Sequence, residues 1–330
     1  MRRRWIALAF VGAVAGGIYV ANASWLADAP DGVPGVLAHR GVHQTFSREG
    51  LTRDTCTATR IDPPTNSYLE NTLPSMRASF AAGASAIEVD VHPTTDGEFA
   101  VFHDWTLDCR TNGSGVSRRQ TMAHLRTLDV GFGYTADGGR TFPFRGKGVG
   151  MMPTLHEVLS AFPGRTILIN IKSRDPTESE RLVASLPAHG HPTDRRLWVW
   201  AAGAAHDRLR ELAPQAIVDS KPRAERCAKQ YLALGWSGHV PAACRGASIY
   251  VPTNLRWAYW GWPNRFLDRM EKAGAQVILV GPYGGGEPGV SHPSQLDAVP
   301  DGYDGLIMTD HIETIGPEVR RRWRASARAS

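Results

Sequence analysis

The chain has 330 residues, 42% of them hydrophobic and 21% charged, which is ordinary globular usage and far from the low-hydrophobicity signature of disorder. One α/β barrel with insertions accounts for such a length, so no second domain is required. The net charge of +5 gathers at the ends, in Arg2, Arg3 and Arg4 and again in Arg320, Arg321, Arg322, Arg324 and Arg328. With no basic face in the centre, the footprint of a nucleic-acid binder is missing.

Residues 1–23 read as a signal peptide or an N-terminal membrane anchor. Arg2-Arg3-Arg4 is the charged region, Trp5 to Val20 the apolar stretch, and Ala21-Asn22-Ala23 a small-x-small cleavage site. The apolar stretch falls short of the about 20 residues of a comfortable span, which favours cleavage, whereas anchoring would associate the protein with a membrane. Both readings place residues 24–330 outside the cytoplasm, in the periplasm or an equivalent extracytoplasmic space. Export permits disulfides, and proximity pairs Cys56 with Cys109 and Cys227 with Cys244. The alternative is four buried thiols, since no paired Cys-x-x-Cys zinc pattern is present.

A first strand, Gly35–His39, delivers His39-Arg40-Gly41 at its C-terminal end, where α/β proteins carry their reacting groups. His39 supplies a proton-transfer group, Arg40 a fork suited to phosphate, and Gly41 is expected to let a ligand approach the backbone. For His39 alone, a buried and satisfied histidine is the plainer explanation. A helix over Leu73–Ala82, stopped by Gly83, leads to a second strand, Ala86–Val91. There Glu88 and Asp90 share one face of a strand otherwise built from Ala, Ile and Val. Acids in an apolar wall need a partner, and Mg2+ or Ca2+ is the natural one for hard oxygen ligands. The alternative is an edge strand with both acids facing water.

Asp96-Gly97 signals a turn, after which Phe99–His103 brings in a second histidine, His103. This run is read as a third parallel strand reached by an extended return over Val91 to Glu98, because a simple hairpin is expected to leave His103 far from Glu88. An insertion over about 105–152, rich in Gly and Arg, is too long for a simple connection and reads as a lid or substrate wall. Beyond it, helices are expected over Thr154–Ala161, Glu178–Leu186, Ala205–Leu212, Arg223–Leu234 and Arg265–Ala273. They alternate with strands over Thr166–Ile171, Arg196–Ala201, Ala216–Asp219, Ala247–Val251, Gln276–Val280 and Gly305–Thr309. The alternation fits an α/β barrel or an open α/β sheet, with one strand more than a barrel holds. The run Trp257-Ala258-Tyr259-Trp260-Gly261-Trp262 suits packing under a loop, or contact with a sugar or lipid headgroup.

In order, His39-Arg40-Gly41, Glu70-Asn71-Thr72-Leu73, Ile87-Glu88-Val89-Asp90-Val91, Thr95-Asp96-Gly97, His103-Asp104, Pro153-Thr154-Leu155 with Glu157-Val158-Leu159, and Gly305-Leu306-Ile307-Met308-Thr309-Asp310 resemble the glycerophosphodiester phosphodiesterase family. The resemblance is clear from Val36 to about Lys172 and returns near the C-terminus. It implies a (β/α)8 TIM barrel with a long insertion after the third strand, the site lying at the C-terminal ends of the strands. It also implies His39 and His103 as general acid and base, Arg40 and Lys172 on the substrate phosphate, and Glu88, Asp90 and Asn170 around a divalent cation, with Glu70 in support. The activity implied is hydrolysis of glycerophosphodiesters to glycerol 3-phosphate and an alcohol.

Two departures stand out: Asn170 replaces the family's usual glutamate, and Val280-Gly281-Pro282-Tyr283 replaces a Trp-Thr run. Two other readings keep the barrel. One is an enzyme similar to the spider-venom phospholipase D-like proteins, acting on lysophospholipid or sphingolipid. The other is a non-catalytic binder of phosphorylated polyols.

Overall fold

In a computed structural model, residues 2–52, 55–194 and 196–326 are described, so that Met1, residues 53–54, Arg195 and residues 327–330, Arg328 among them, lie outside the described residues. The apolar runs form nine strands: β1 Gly35–His39, β2 Ala86–Pro93, β3 Phe99–Val101, β4 Thr166–Ile171, β5 Trp198–Trp200, β6 Ile217–Asp219, β7 Ser248–Pro252, β8 Gln276–Val280 and β9 Leu306–Thr309. Eight of them lie in the order β6-β5-β4-β2-β1-β9-β8-β7, every pair parallel, and helices cover the outside. This is a nearly closed (β/α)8 barrel. Among the described residues β6 and β7 share no ladder. Asp219 bridges that seam, accepting from the Ser248 amide at 2.9 Å and from the Trp198 indole at 3.1 Å.

The ninth strand corrects one expectation. β3 is no barrel strand: it pairs antiparallel with β2, Val91 opposite Val101 and Pro93 opposite Phe99. β2 runs two residues further than its sequence pattern showed, so the hairpin folds back onto itself. The Phe102 amide reaches the Asp90 carbonyl at 2.9 Å, and His103 returns to the level of the acids. The hairpin is therefore what delivers His103, and no extended return is needed.

Leu37, Ala86, Leu168, Trp198, Ile278 and Leu306 plug the barrel interior, and half-buried Trp200, Tyr250, Val280 and Met308 lie against them. Outside, Val89, Ile169, Val199 and Ile307 meet helix residues such as Met76, Leu182, Leu209 and Phe266. The helices start on side-chain caps. Thr72 Oγ1 accepts from the Ser75 amide, and Thr154 and Glu157 close a reciprocal capping box.

The insertion folds over residues 43–52 and 55–70 around its own core, which includes Leu69, Phe102, Leu107, Leu125, Tyr134 and Phe144. The Cys56–Cys109 disulfide, spanning 53 residues, staples the two segments, and Cys227–Cys244 joins the helix Lys221–Leu234 to the turn before β7. Closing a loop of that length restricts the unfolded chain by about 4 kcal/mol. Replacing Cys56 and Cys109 together with Ser is expected to lower unfolding stability by about that amount in urea titration. The aromatic run divides its duties: Tyr259 is buried, while Trp257 is 75% exposed.

Candidate active site

Parallel register sets the side chains of the mouth. His39 at the end of β1 lies opposite Glu88 on β2, and Asp90 lies opposite Asn170 on β4. The chain then turns sharply after His39, with Arg40 in the left-handed region at φ 61 and Asn71 at φ 59. Two backbone bonds hold this turn: the Arg40 amide donates to the Glu88 carbonyl at 3.1 Å, and the Asn71 amide to the Arg40 carbonyl at 3.0 Å. Non-glycine residues adopt this conformation where surroundings fix it, often at functional sites. Gly41 has a different reason than ligand approach. Its φ is 83, and a Cβ there would collide with Ser75 on the helix that follows, so it lets the turn pack.

The structure brings His39, Arg40, Glu70, Glu88, Asp90, His103, Asn170 and Lys172 together at the mouth. Glu88 and Asp90 are 4% and 0% exposed, which excludes the edge-strand alternative. Asn170 donates its amide NH2 to Glu88 Oε1 at 2.8 Å and to Asp90 Oδ1 at 3.0 Å. Lys172 Nζ lies 3.1 Å from Asp90 Oδ1, and Arg40 Nε lies 3.4 Å from Asp90 Oδ2. Burial pushes the Asp90 carboxyl up, but Lys172, His103 and Arg40 outweigh it and hold it well below the usual range. Glu88 moves the other way, raised by burial and by the charge of Asp90.

The two imidazoles are held differently. His39 Nδ1 lies 2.5 Å from Asp310 Oδ1, and its Nε2 lies 3.7 Å from Glu88 Oε2. Burial pulls the His39 pKa down, yet the carboxylates of Asp310 and Glu88 prevail and raise it. His103 Nδ1 pairs with Asp104 Oδ1 at 2.7 Å, and the other Asp104 oxygen accepts from Arg110 Nε at 2.9 Å. With its carboxylate shared in this way, His103 is lowered by burial and by nearby Arg40. Arg110 also reaches Glu70 Oε2 at 3.0 Å and donates to the Tyr134 hydroxyl at 2.6 Å, while Glu70 Oε1 lies 3.4 Å from Arg40.

Sequence reasoning gave no role to Asp310, Asp104, Asn71 or Arg110. Three of them lie inside the quoted motifs, Asp310 closing the last one, Asp104 following His103 and Asn71 following Glu70. Asn71 donates to Asp90 Oδ2 at 3.0 Å and receives the Asp90 amide at 3.2 Å. Arg110 carried no signal beyond its place after Cys109, since only the fold of the insertion brings it under the mouth.

Glu88 Oε2 is buried without a hydrogen-bond partner, which is the kind of oxygen a cation satisfies. Among the described residues no three His, Cys, Asp or Glu side chains are grouped to hold a metal ion. A cation here therefore needs Asn170 to complete the set, with its amide turned to present oxygen. The donors that result are all hard oxygens, and they fit a divalent ion of the Mg2+ or Ca2+ kind.

Fold and site together define a (β/α)8 barrel whose mouth sets carboxylates and cationic side chains between two carboxylate-held imidazoles. Residues 39–209 match the glycerophosphoryl diester phosphodiesterase family, and the chain belongs to that family. Among curated relatives, a glycerophosphodiester phosphodiesterase of Caldanaerobacter subterraneus is 32% identical over 36% of this chain and 46% of its own length. One from Bacillus subtilis is 36% identical over 36% of this chain and 42% of its own length. The match thus spans less than half of those relatives.

Solved structures match more of the chain at lower identity. A glycerophosphodiester phosphodiesterase from Agrobacterium tumefaciens has a TM-score of 0.53 at 21% identity, covering 86% of this chain and 99% of its own. A phosphodiesterase from Oleispira antarctica, in complex with the product sn-glycerol-3-phosphate, has a TM-score of 0.54 at 19% identity, covering 87% and 97%. At such identities these likenesses concern the fold.

Proposed function

We propose that the protein is an extracytoplasmic phosphoric diester hydrolase that cleaves glycerophosphodiesters to glycerol 3-phosphate and an alcohol, with a divalent cation and two histidines. The carrying observation is geometric: His39 Nε2 lies 3.7 Å from Glu88 Oε2, and the hairpin whose Phe102 amide binds the Asp90 carbonyl at 2.9 Å returns His103 beside the same buried pair of acids. The product in the Oleispira structure supports the substrate class.

A phosphodiester resists attack because its anionic oxygens repel nucleophiles and its leaving alkoxide is a poor one. Arg40 and Lys172, both beside Asp90, are the cationic side chains that would neutralise phosphoryl oxygens. Glu88, Asp90 and Asn170 would hold the cation, which would supply positive charge beside the phosphoryl oxygens. His103, kept neutral, takes the proton of the attacking hydroxyl. His39, kept protonated between Asp310 and Glu88, gives its proton to the departing oxygen. When the attacking hydroxyl belongs to the glycerol moiety the product is a cyclic phosphate, and water opens it with the two imidazoles exchanging roles.

These roles fix the sign of the pH dependence. Turnover requires His103 without its proton, so it rises as pH climbs through a value below 6.5, and requires His39 with its proton, so it falls as pH climbs through a value above 6.5. A bell-shaped profile of kcat/KM on glycerophosphocholine with Mg2+ or Ca2+ is expected, abolished by chelator. Turnover of lysophosphatidylcholine alone would select the phospholipase D-like reading, and binding without turnover the polyol binder.

Asn170 leaves the cation with one carboxylate fewer than the family's usual glutamate provides. Asn170→Glu is expected to lower the metal concentration for half-maximal activity by roughly tenfold, read by titrating metal into the stripped protein.

A further inference from the structure

Residues 3–17 of the helix Arg2–Asn22 lie exposed, and the window Arg3–Asn22 has the length and composition of a membrane span: its apolar part, residues 5–20, covers about 24 Å at 1.5 Å per residue, and Arg3 and Arg4 would reach back to the cytoplasmic headgroups. Its C-terminal end is not a loose tether. Arg269 donates to the Ala21 carbonyl at 2.9 Å and to Asn22 Oδ1 at 2.9 Å, while the Asn22 amide reaches the Trp236 carbonyl at 2.7 Å. Ala23 is buried, and Ser24 Oγ accepts from the Asn264 amide at 2.9 Å. The barrel thus has a seat for residues 21–24 in which cleavage after Ala23 would leave only Ser24. Arg269 also binds the Tyr231 hydroxyl and the Gly235 carbonyl, so helix end and barrel flank form one joint.

Around that joint the surface is apolar and aromatic. Trp25 is 71% exposed, Leu26 44%, Leu234 45% and Trp236 42%, and Trp260 hangs from the Leu232 carbonyl beside them. Large apolar side chains ringing the exit of an apolar helix are placed where the headgroup layer would meet the protein, and tryptophan is the residue that this layer favours. At the other end, Arg2, Arg3 and Arg4 would remain in the cytoplasm, as the positive-inside rule requires.

We propose that the Arg2–Asn22 helix is a retained membrane anchor and that Trp25, Leu26, Leu234, Trp236 and Trp260 form a collar seated in the interfacial layer of a phospholipid bilayer. The inference rests on the extracytoplasmic placement of the barrel but not on its catalysis.

Two measurements on the full chain test it, neither of them using activity. After expression in a bacterial host, the protein is expected in the carbonate-washed membrane pellet with an intact mass that includes residues 2–23. A soluble protein beginning at Ser24 would overturn the anchor. For the collar, a Trp5→Phe chain in phosphatidylcholine vesicles brominated near the headgroup end of the acyl chains is expected to show quenched tryptophan fluorescence. Adding Trp25→Ser and Trp236→Ser should cut that quenching at least twofold, and equal quenching in the two chains would overturn the collar.

Discussion

His39→Ala and His103→Ala each lower kcat/KM on glycerophosphocholine by roughly 10²- to 10⁴-fold, the range that a positioned proton donor or acceptor contributes. The two variants are expected to differ in what remains. His103→Ala leaves His39 with its carboxylates, so the alkaline fall of the pH profile persists while the acid limb disappears. His39→Ala removes the alkaline limb and leaves the acid one. Circular dichroism should stay close to wild type in both variants, whereas the melting temperature of His39→Ala is expected to fall, since buried Asp310 loses one partner and keeps Arg48. Unchanged rates in both variants would remove the acid–base assignment.

Arg110→Met is expected to act on stability and catalysis together. The guanidinium is 3% exposed and serves Asp104, Glu70, Tyr134 and Thr57 at once. Its loss strands buried carboxylates, and breaking such a network from one side costs about 3–5 kcal/mol. Asp104 then no longer shares its charge, so His103 binds its proton more tightly and the acid limb of the pH profile moves up. Denaturant titration gives the first effect and the pH profile of the surviving activity the second. Arg110→Lys should recover part of the stability but little of the geometry, because an ammonium cannot present the same fork.

The barrel was legible because each parallel strand is a short β-rich run bounded by a helix with its own start and stop signals. Thr154 with Glu157 and Thr72 before Leu73 are such signals, and both act as caps. Phe99–His103 misled because three apolar residues look alike in a parallel strand and in a hairpin arm, and only pairing distinguishes them. The acids and histidines were legible because charge in an apolar strand demands an explanation. What remained hidden were groups whose meaning lies in distance: Asp310 is 271 residues from His39, and Arg110 reaches the mouth only through the core of the insertion. The packing of Gly41 against Ser75 on the next helix was hidden in the same way.

The hairpin arm that carries His103 separates two things that most barrels lose together. His39, the proposed proton donor, is built into the cylinder wall, whereas His103, the proposed acceptor, is mounted on an appendage packed against the insertion and its staple. Inactivation and melting are therefore expected to be distinct events, the first arriving when the appendage loosens and the second when the cylinder gives way. Heat, reductant or a protease nick in the appendage would silence the molecule while leaving most of its secondary structure standing.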